Sequence, residues 1–211
     1  MIVEEFVRAH TALAAVPFVP ELVMYTASDV VALWEHTESS QGVGQPPPFW
    51  AFPWAGGQAL ARYVLDHPEL VRGARVLDLA SGSGLVAIAA VRAGAAVVQA
   101  NEVDPFADAA IAANAEANQV ELDRHLGDLL DAAPTVDVVL AGDVFYSRDM
   151  TARMLAFMRR ARSAGAEVLV GDPGRAYAPH EALDQIASYD IPVIRDLEDA
   201  DFKHVTVSRV R

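Results

Sequence analysis

The chain of 211 residues contains no cysteine, which excludes disulfides, thiol nucleophiles and thiolate-bound zinc. Basic residues are scarce, 16 Lys and Arg against 29 Asp and Glu, for a formal net charge of −13. That balance argues against broad nucleic-acid binding and against anionic membrane surfaces, and it suits a basic or lysine-bearing partner. No run of 18 apolar residues occurs, and Met1 to Glu5 carries no basic segment followed by an apolar one. Neither a membrane span nor a secretion signal is therefore expected, and the cytoplasm is the expected compartment. His125, His180 and His204 do not stand at metal-ligand spacing, so no catalytic metal is expected. What the chain does have is apolar residues, 53% of the total, and enough length for one domain with a sizeable core.

Residues 2–15 read as a helix, broken by Val16-Pro17-Phe18-Val19-Pro20. Leu22 to Tyr25 reads as a short extended piece, and Ser28 or Asp29 can cap a second helix through Trp34. A Pro-rich loop, Glu38 to Pro48, then leads to Phe49-Trp50-Ala51-Phe52-Pro53-Trp54, four large aromatics within six residues. This cluster suits a core plug or the lining of a substrate mouth. A helix follows from Gly56 to Asp66. Strands are expected at 75–79, 96–101, 121–126, 136–141, 166–170, 191–195 and 204–210, with helices at 85–91, 107–118, 150–162 and 179–188. This alternation predicts an α/β fold: a seven-strand, mostly parallel sheet with helices on both faces. The short link between the last two strands predicts that the final strand is antiparallel. Residues 1–48 are read as an N-terminal helical extension with the Pro-rich loop, and 49–211 as the catalytic domain.

In an open α/β sheet, ligands bind beyond the C-terminal ends of the strands. The first five strands end near Asp78, Glu102, Asp128, Asp143 and Asp172, a carboxylate in every case. Gly82 and Gly84, directly after the first strand, allow a sharp turn and a close approach to a ligand, with the free N–H groups of the next helix facing it. Glu102 lies twenty residues after Gly82, the distance at which an acid can bind ribose hydroxyls. Gly82, Gly84 and Ala87 also fit the dinucleotide pattern G-x-G-x-x-A, which leaves an NAD-type oxidoreductase open. Asp78 weighs the other way. A carboxylate there would repel a pyrophosphate and favour a cationic amino group, hence an adenosyl ligand bearing an ammonium and a sulfonium.

Asp78-Leu79-Ala80-Ser81-Gly82-Ser83-Gly84, followed by Asn101-Glu102-Val103-Asp104-Pro105, resembles the class I S-adenosylmethionine-dependent methyltransferases. Pro48 to Gln58, Gly142-Asp143-Val144-Phe145-Tyr146 and Gly171-Asp172-Pro173-Gly174-Arg175 narrow the resemblance to the electron-transfer-flavoprotein beta-subunit lysine methyltransferases, within methyltransferase family sixteen. The resemblance runs from Phe49 to Arg175. It implies a Rossmann-like sheet, S-adenosyl-L-methionine as cofactor, and protein-lysine N-methylation of the electron transfer flavoprotein beta subunit. Residue by residue, it implies that Asp78, Ala80, Gly82, Ser83 and Gly84 hold the methionine end of the cofactor and that Glu102 holds the ribose. Asp128 would face the adenine, with Trp54, Asn101, Leu129 and Ala141 lining the same site. Asp143 and Tyr146 would form the catalytic D-x-x-Y, and Trp50, Phe145, Asp172 and Arg175 would meet the substrate. Two positions depart from the family pattern: Ala80 replaces a frequent glycine, and Pro53-Trp54 inverts the order W-P. Methylation of a ribosomal protein or a small amine, and a non-catalytic cofactor-binding module, remain as alternatives.

Overall fold

A computed structural model describes residues 3–42, 44–193 and 200–211. The element order is α1 (Val3–His10), β1 (Ala12–Val16), β2 (Val19–Thr26), α2 (Val30–Gln41), α3 (Ala55–Asp66), β3 (Arg75–Leu79), α4 (Leu85–Arg92), β4 (Val97–Glu102), α5 (Pro105–Ala117), β5 (Asp123–Leu126), β6 (Val138–Gly142), α6 (Arg148–Ser163), β7 (Glu167–Asp172), β8 (Leu183–Pro192) and β9 (Phe202–Val210). The seven-stranded sheet has the order β5-β4-β3-β6-β7-β9-β8. The strands from β5 to β7 pair in parallel; β9 runs antiparallel to both β7 and β8. Strand order reverses beside β3, with β4 on one side and β6 on the other, so the crevice expected to hold a ligand lies above the C-terminal ends of these three strands.

Alternation along the strands sends side chains to two cores. Val76, Val138 and Leu140 pack on one face with Leu60, Val64, Ile88 and Ile111 of α3, α4 and α5. Leu77, Leu79 and Val139 pack on the other with Met154, Phe157 and Met158 of α6. Asp104 caps α5, accepting from Phe106 N at 2.8 Å, and Pro105 occupies its first turn, where no N–H is needed.

Two elements differ in type from the sequence expectation, and α2 runs on to Gln41 where a loop is expected from Glu38. The first helix ends at His10, and residues 12–16 form a strand paired antiparallel with β2. Ala12 to Val16 have ample helix propensity. The hairpin wins because Val16, Val19, Leu22 and Met24 reach the core next to α3 and α4. The side chains of Asn114 on α5 and of Asn118, which caps its C-terminus, clamp β2: Tyr25 N donates to Asn114 Oδ1 at 2.7 Å and Val23 N to Asn118 Oδ1 at 3.0 Å. The N-terminal segment is therefore not purely helical: its hairpin joins the core of α3 and α4, while Phe6, Val7 and Leu33 pack with Trp50, Phe52 and Phe106 in a cluster of their own. Residues 179–188, expected as a helix, form a short turn of 3-10 helix at His180–Ala182 and then β8, which pairs with β9 from Leu183↔Val210 to Pro192↔Phe202. Of the expected strand 191–195, the last two residues lie outside the described ones. Among the described residues, no helix is long and apolar enough to cross a membrane.

Candidate active site

The turn after β3 is built by a buried acid. Asp78 Oδ2 accepts from the Ser81 hydroxyl at 2.5 Å and from Ala87 N in the first turn of α4 at 2.9 Å. Burial pushes its carboxyl up to about 7, against the pull of those two donors. Gly82 and Gly84 stand at φ 58° and 85°, and Ala80 takes φ 54°, a left-handed value that favours glycine. The open side of the turn is at Gly82, where a Cβ would meet nothing within 4 Å. Glu102 closes the turn from β4: one oxygen accepts from Gly82 N at 2.8 Å and the other from Val103 N at 2.9 Å. Burial also raises the Glu102 carboxyl, again opposed by the backbone donors.

A second group forms where α3 meets the ends of β6 and β7. The backbones touch so closely that a Cβ on Gly171 would lie 2.1 Å from Gly56 O, and one on Gly142 2.8 Å from the Gly57 Cα. This contact lets Gly57 N donate to Asp143 Oδ2 at 2.9 Å. Asp143 itself stands at φ 57°, its N–H bonded to Gly171 O at 2.9 Å. Its other oxygen accepts from Arg175 Nη2 at 2.8 Å. Burial pushes the Asp143 carboxyl up to about 6 even though Arg175 and Gly57 N–H pull it down. The Arg175 guanidinium lies 5.5 Å from the centre of the Trp54 ring, and Trp54 Nε1 donates to Phe49 O at 2.8 Å. Asp172 Oδ1 accepts from Gly174 N at 2.7 Å and Arg175 N at 2.9 Å, which shapes the loop after β7. Asp172 Oδ2 is buried and has no hydrogen-bond partner among the described residues. Tyr146 is 56% exposed, and partial burial together with the Glu102 charge raises its hydroxyl.

The other expected site residues are engaged within the protein itself. Trp50 is 2% exposed and stacks on Phe106 at 6.2 Å, and Phe145 is 0% exposed in the core under α6. Both support the site from within and offer no face to a substrate. Asp78 turns inward to the loop, so its carboxylate shapes the turn. Asn101 is buried; its amide donates to His125 O and Gly127 O, joining the ends of β4 and β5. Ser83 and Ala141 are buried, Ser83 lending its carbonyl to Asn114 Nδ2 at 2.8 Å. Leu129 packs half-buried on the α6 core. Asp128 is exposed; it accepts from Leu130 N and pairs with Arg153 at 2.8 Å, which together lower its carboxyl. The role of Gly56, Gly57, Gly142 and Gly171 in seating Asp143 was missed, although the paired glycines opening α3 were a visible signal of close backbone approach.

Residues 59–144 match the family model for ribosomal protein L11 methyltransferase. Over 183 residues the chain is 39% identical to the electron transfer flavoprotein beta subunit lysine methyltransferase of Xenopus laevis, spanning 84% of this chain and 73% of that one. The chain belongs to the electron transfer flavoprotein beta subunit lysine methyltransferase family. Its similarity to the rat member is 40% over 154 residues, 69% of this chain and 60% of the relative. The fold matches the tRNA (uracil-54, C5)-methyltransferase of Pyrococcus abyssi, solved with S-adenosyl-L-homocysteine: the TM-score is 0.53 at 18% identity, over 74% of this chain and 38% of that one. Family membership makes the chain an N-methyltransferase, and it accounts for carboxylates at the ends of β3, β4 and β6 better than a pyrophosphate-binding site does.

Proposed function

We propose that the chain methylates lysine side chains of a protein, with S-adenosylmethionine as methyl donor, and that its substrate is the beta subunit of electron transfer flavoprotein. The reaction reading is carried by one observation: at the end of β6 a buried carboxylate, Asp143, and an aromatic ring, Trp54, flank one cation, the Arg175 guanidinium. A carboxylate flanked by an aromatic face suits an ammonium. The flavoprotein assignment is supported by the names of the relatives.

The turn fits the donor. The open ground over Gly82 leaves room for the methionine end, and Glu102, pinned by Gly82 N and Val103 N, keeps lone pairs for the ribose hydroxyls. Asp128 offers an acceptor for the adenine amino group at the end of β5, provided Arg153 yields it. When bound, the donor supplies a sulfonium-activated methyl, so the protein has mainly to align the acceptor and exclude water. The acceptor lysine, with a free pKa of about 10.4, must lose its proton before attack. Asp143 favours the charged form and therefore orients the incoming ammonium; the proton leaves to water through the mouth. Tyr146 and Trp54 stabilise the cationic product side chain by roughly 0.5–2 kcal/mol.

The test is intact mass of the flavoprotein after incubation with enzyme and donor. Mass increments of whole methyl groups on the beta subunit, absent with Asp143→Ala, are expected. The match of residues 59–144 to the ribosomal protein L11 methyltransferase model favours one second reading, a ribosomal protein substrate. Purified L11 incubated in parallel decides between them. Increments on L11 alone replace the flavoprotein, and none on either or in whole extract rejects protein methylation.

A further inference from the structure

Arg175 sits where an incoming lysine would have to sit. Its guanidinium is held by the buried carboxylate of Asp143 on one side, at 2.8 Å, and lies over the Trp54 ring on the other, at 5.5 Å from the centre. The side chains are only 23% and 10% exposed, so the pair is largely shielded from water. Asp143 Oδ2 is engaged by Gly57 N, and Oδ1, the oxygen left for a ligand, is the one Arg175 takes. Acid on one side and aromatic face on the other is the surrounding a lysyl ammonium needs.

We infer that Arg175 occupies the acceptor-cation subsite of the empty enzyme and that the substrate's ammonium must displace it from Asp143. The inference rests on the lysine-methylation reading. The backbone allows the exchange. Arg175 N is fixed by Asp172 Oδ1, which anchors the loop while rotation about the side chain's own bonds carries the guanidinium away from Asp143. The unengaged oxygen of Asp172 offers that loop a second acceptor. The consequence is selectivity. A neutral acceptor brings no charge to replace the guanidinium at Asp143, whereas an ammonium does. The resident cation also weakens the apparent affinity for every acceptor by the fraction of enzyme it closes.

Two variants test this. Arg175→Met removes the charge and keeps the bulk. By calorimetry it is expected to bind n-butylammonium, the lysyl side chain without its backbone, about tenfold tighter than the wild type, with a matching fall in KM for the protein substrate. Arg175→Lys puts an amine in the subsite. Incubated with S-adenosylmethionine and no other protein, it is expected to methylate itself at residue 175. An N–C bond forms there as the donor's C–S bond breaks, the electron pair stays on sulfur, and the amine proton goes to water. Mapping is simple because Lys203 is the chain's single native lysine. The double variant R175K/D143N is expected to stay unmodified. Unchanged or weaker butylammonium binding by R175M overturns the inference, because Arg175 would then be a contact for the substrate. So does an unmodified residue 175 in a folded R175K that still methylates its protein substrate. If the wild type methylates no protein at all, the underlying reading fails and the inference falls with it.

Discussion

At the N-terminal ends of β3 and β6, Asp137 meets Arg75 in open solvent. Arg75 N, Nε and Nη2 donate to it at 2.8, 3.1 and 2.9 Å, and these bonds lower its carboxyl to about 2. At the C-terminal ends of the same two strands, Asp78 and Asp143 are buried and pushed up to about 7 and 6. The outer carboxylate is matched by a full positive charge. Asp78 is held by a hydroxyl and a backbone N–H, and Asp143 by one backbone N–H and the Arg175 guanidinium. One end of the sheet is arranged to be content when empty. The other buries its acids, which raises both carboxyls even where a guanidinium is at hand, as a site poised for a cation and for hydroxyl groups would.

The largest break in this contrast should come from Gly171→Ala. Its Cβ would fall 2.1 Å from Gly56 O, backbone against backbone, so α3 must move and Gly57 N must leave Asp143. A loss of about 3 kcal/mol or more in urea unfolding is expected. Wild-type stability would mean that α3 does not seat Asp143. Next comes Asp143→Asn, which keeps a residue tolerant of φ 57° and removes the charge. Methyl transfer is expected to fall about 100-fold with donor affinity within about twofold, since Asp143 faces the acceptor. Equal losses of turnover and donor affinity would move it to the donor's side of the site.

Protons distinguish the two ends by sign. A carboxyl raised in the fold contributes stability that is full below its unfolded value of 3.8 and is lost as pH rises through the folded value, about 6 for Asp143 and about 7 for Asp78. Asp137 does the opposite: its contribution is present above 3.8 and is lost as pH falls through about 2. Urea unfolding from about pH 8 to about pH 5 should therefore show the inner acids favouring the fold on acidification. Asp78→Asn and Asp143→Asn are expected to flatten that slope. Asp137→Asn is expected to leave it intact and to change the profile only in stronger acid.

The ligand end was legible in outline because each central strand is a short apolar run that stops at an acid, and the stop marks the rim. Arg75 to Leu79 reads directly as β3, whereas the bond from Gly82 N to Glu102, a residue expected only as a ribose acceptor, was not foreseen. What could not be read were contacts between distant backbones. Nothing local tells that Gly56 touches Gly171, because the contact arises only when α3 lies across β6 and β7. The same limit hid β1 and β8. Ala12 to Val16 and Leu183 to Pro192 take their conformation from partner strands, and their own composition suits a helix as well. Trp50 and Phe145 misled because an aromatic beside a site can support it from within as readily as line it.

The smallest effect concerns two positions of one turn. Ala80 and Gly82 have nearly the same left-handed φ, 54° and 58°, so exchanging their residue types asks one question twice. Gly82→Ala meets no neighbour within 4 Å, and its cost is conformational, about 1–2 kcal/mol. The same methyl group would stand on the open side of the turn and weaken donor binding as well. Ala80→Gly relieves a similar strain but loosens the unfolded chain, which returns about 0.4–1 kcal/mol to the denatured side. A net change within about 0.5 kcal/mol is expected for it, with donor affinity unaltered. A gain of more than about 1 kcal/mol in thermal or urea unfolding would show that Ala80 is strained beyond its backbone angle. The ligand end would then store energy in its turn as well as in its buried acids.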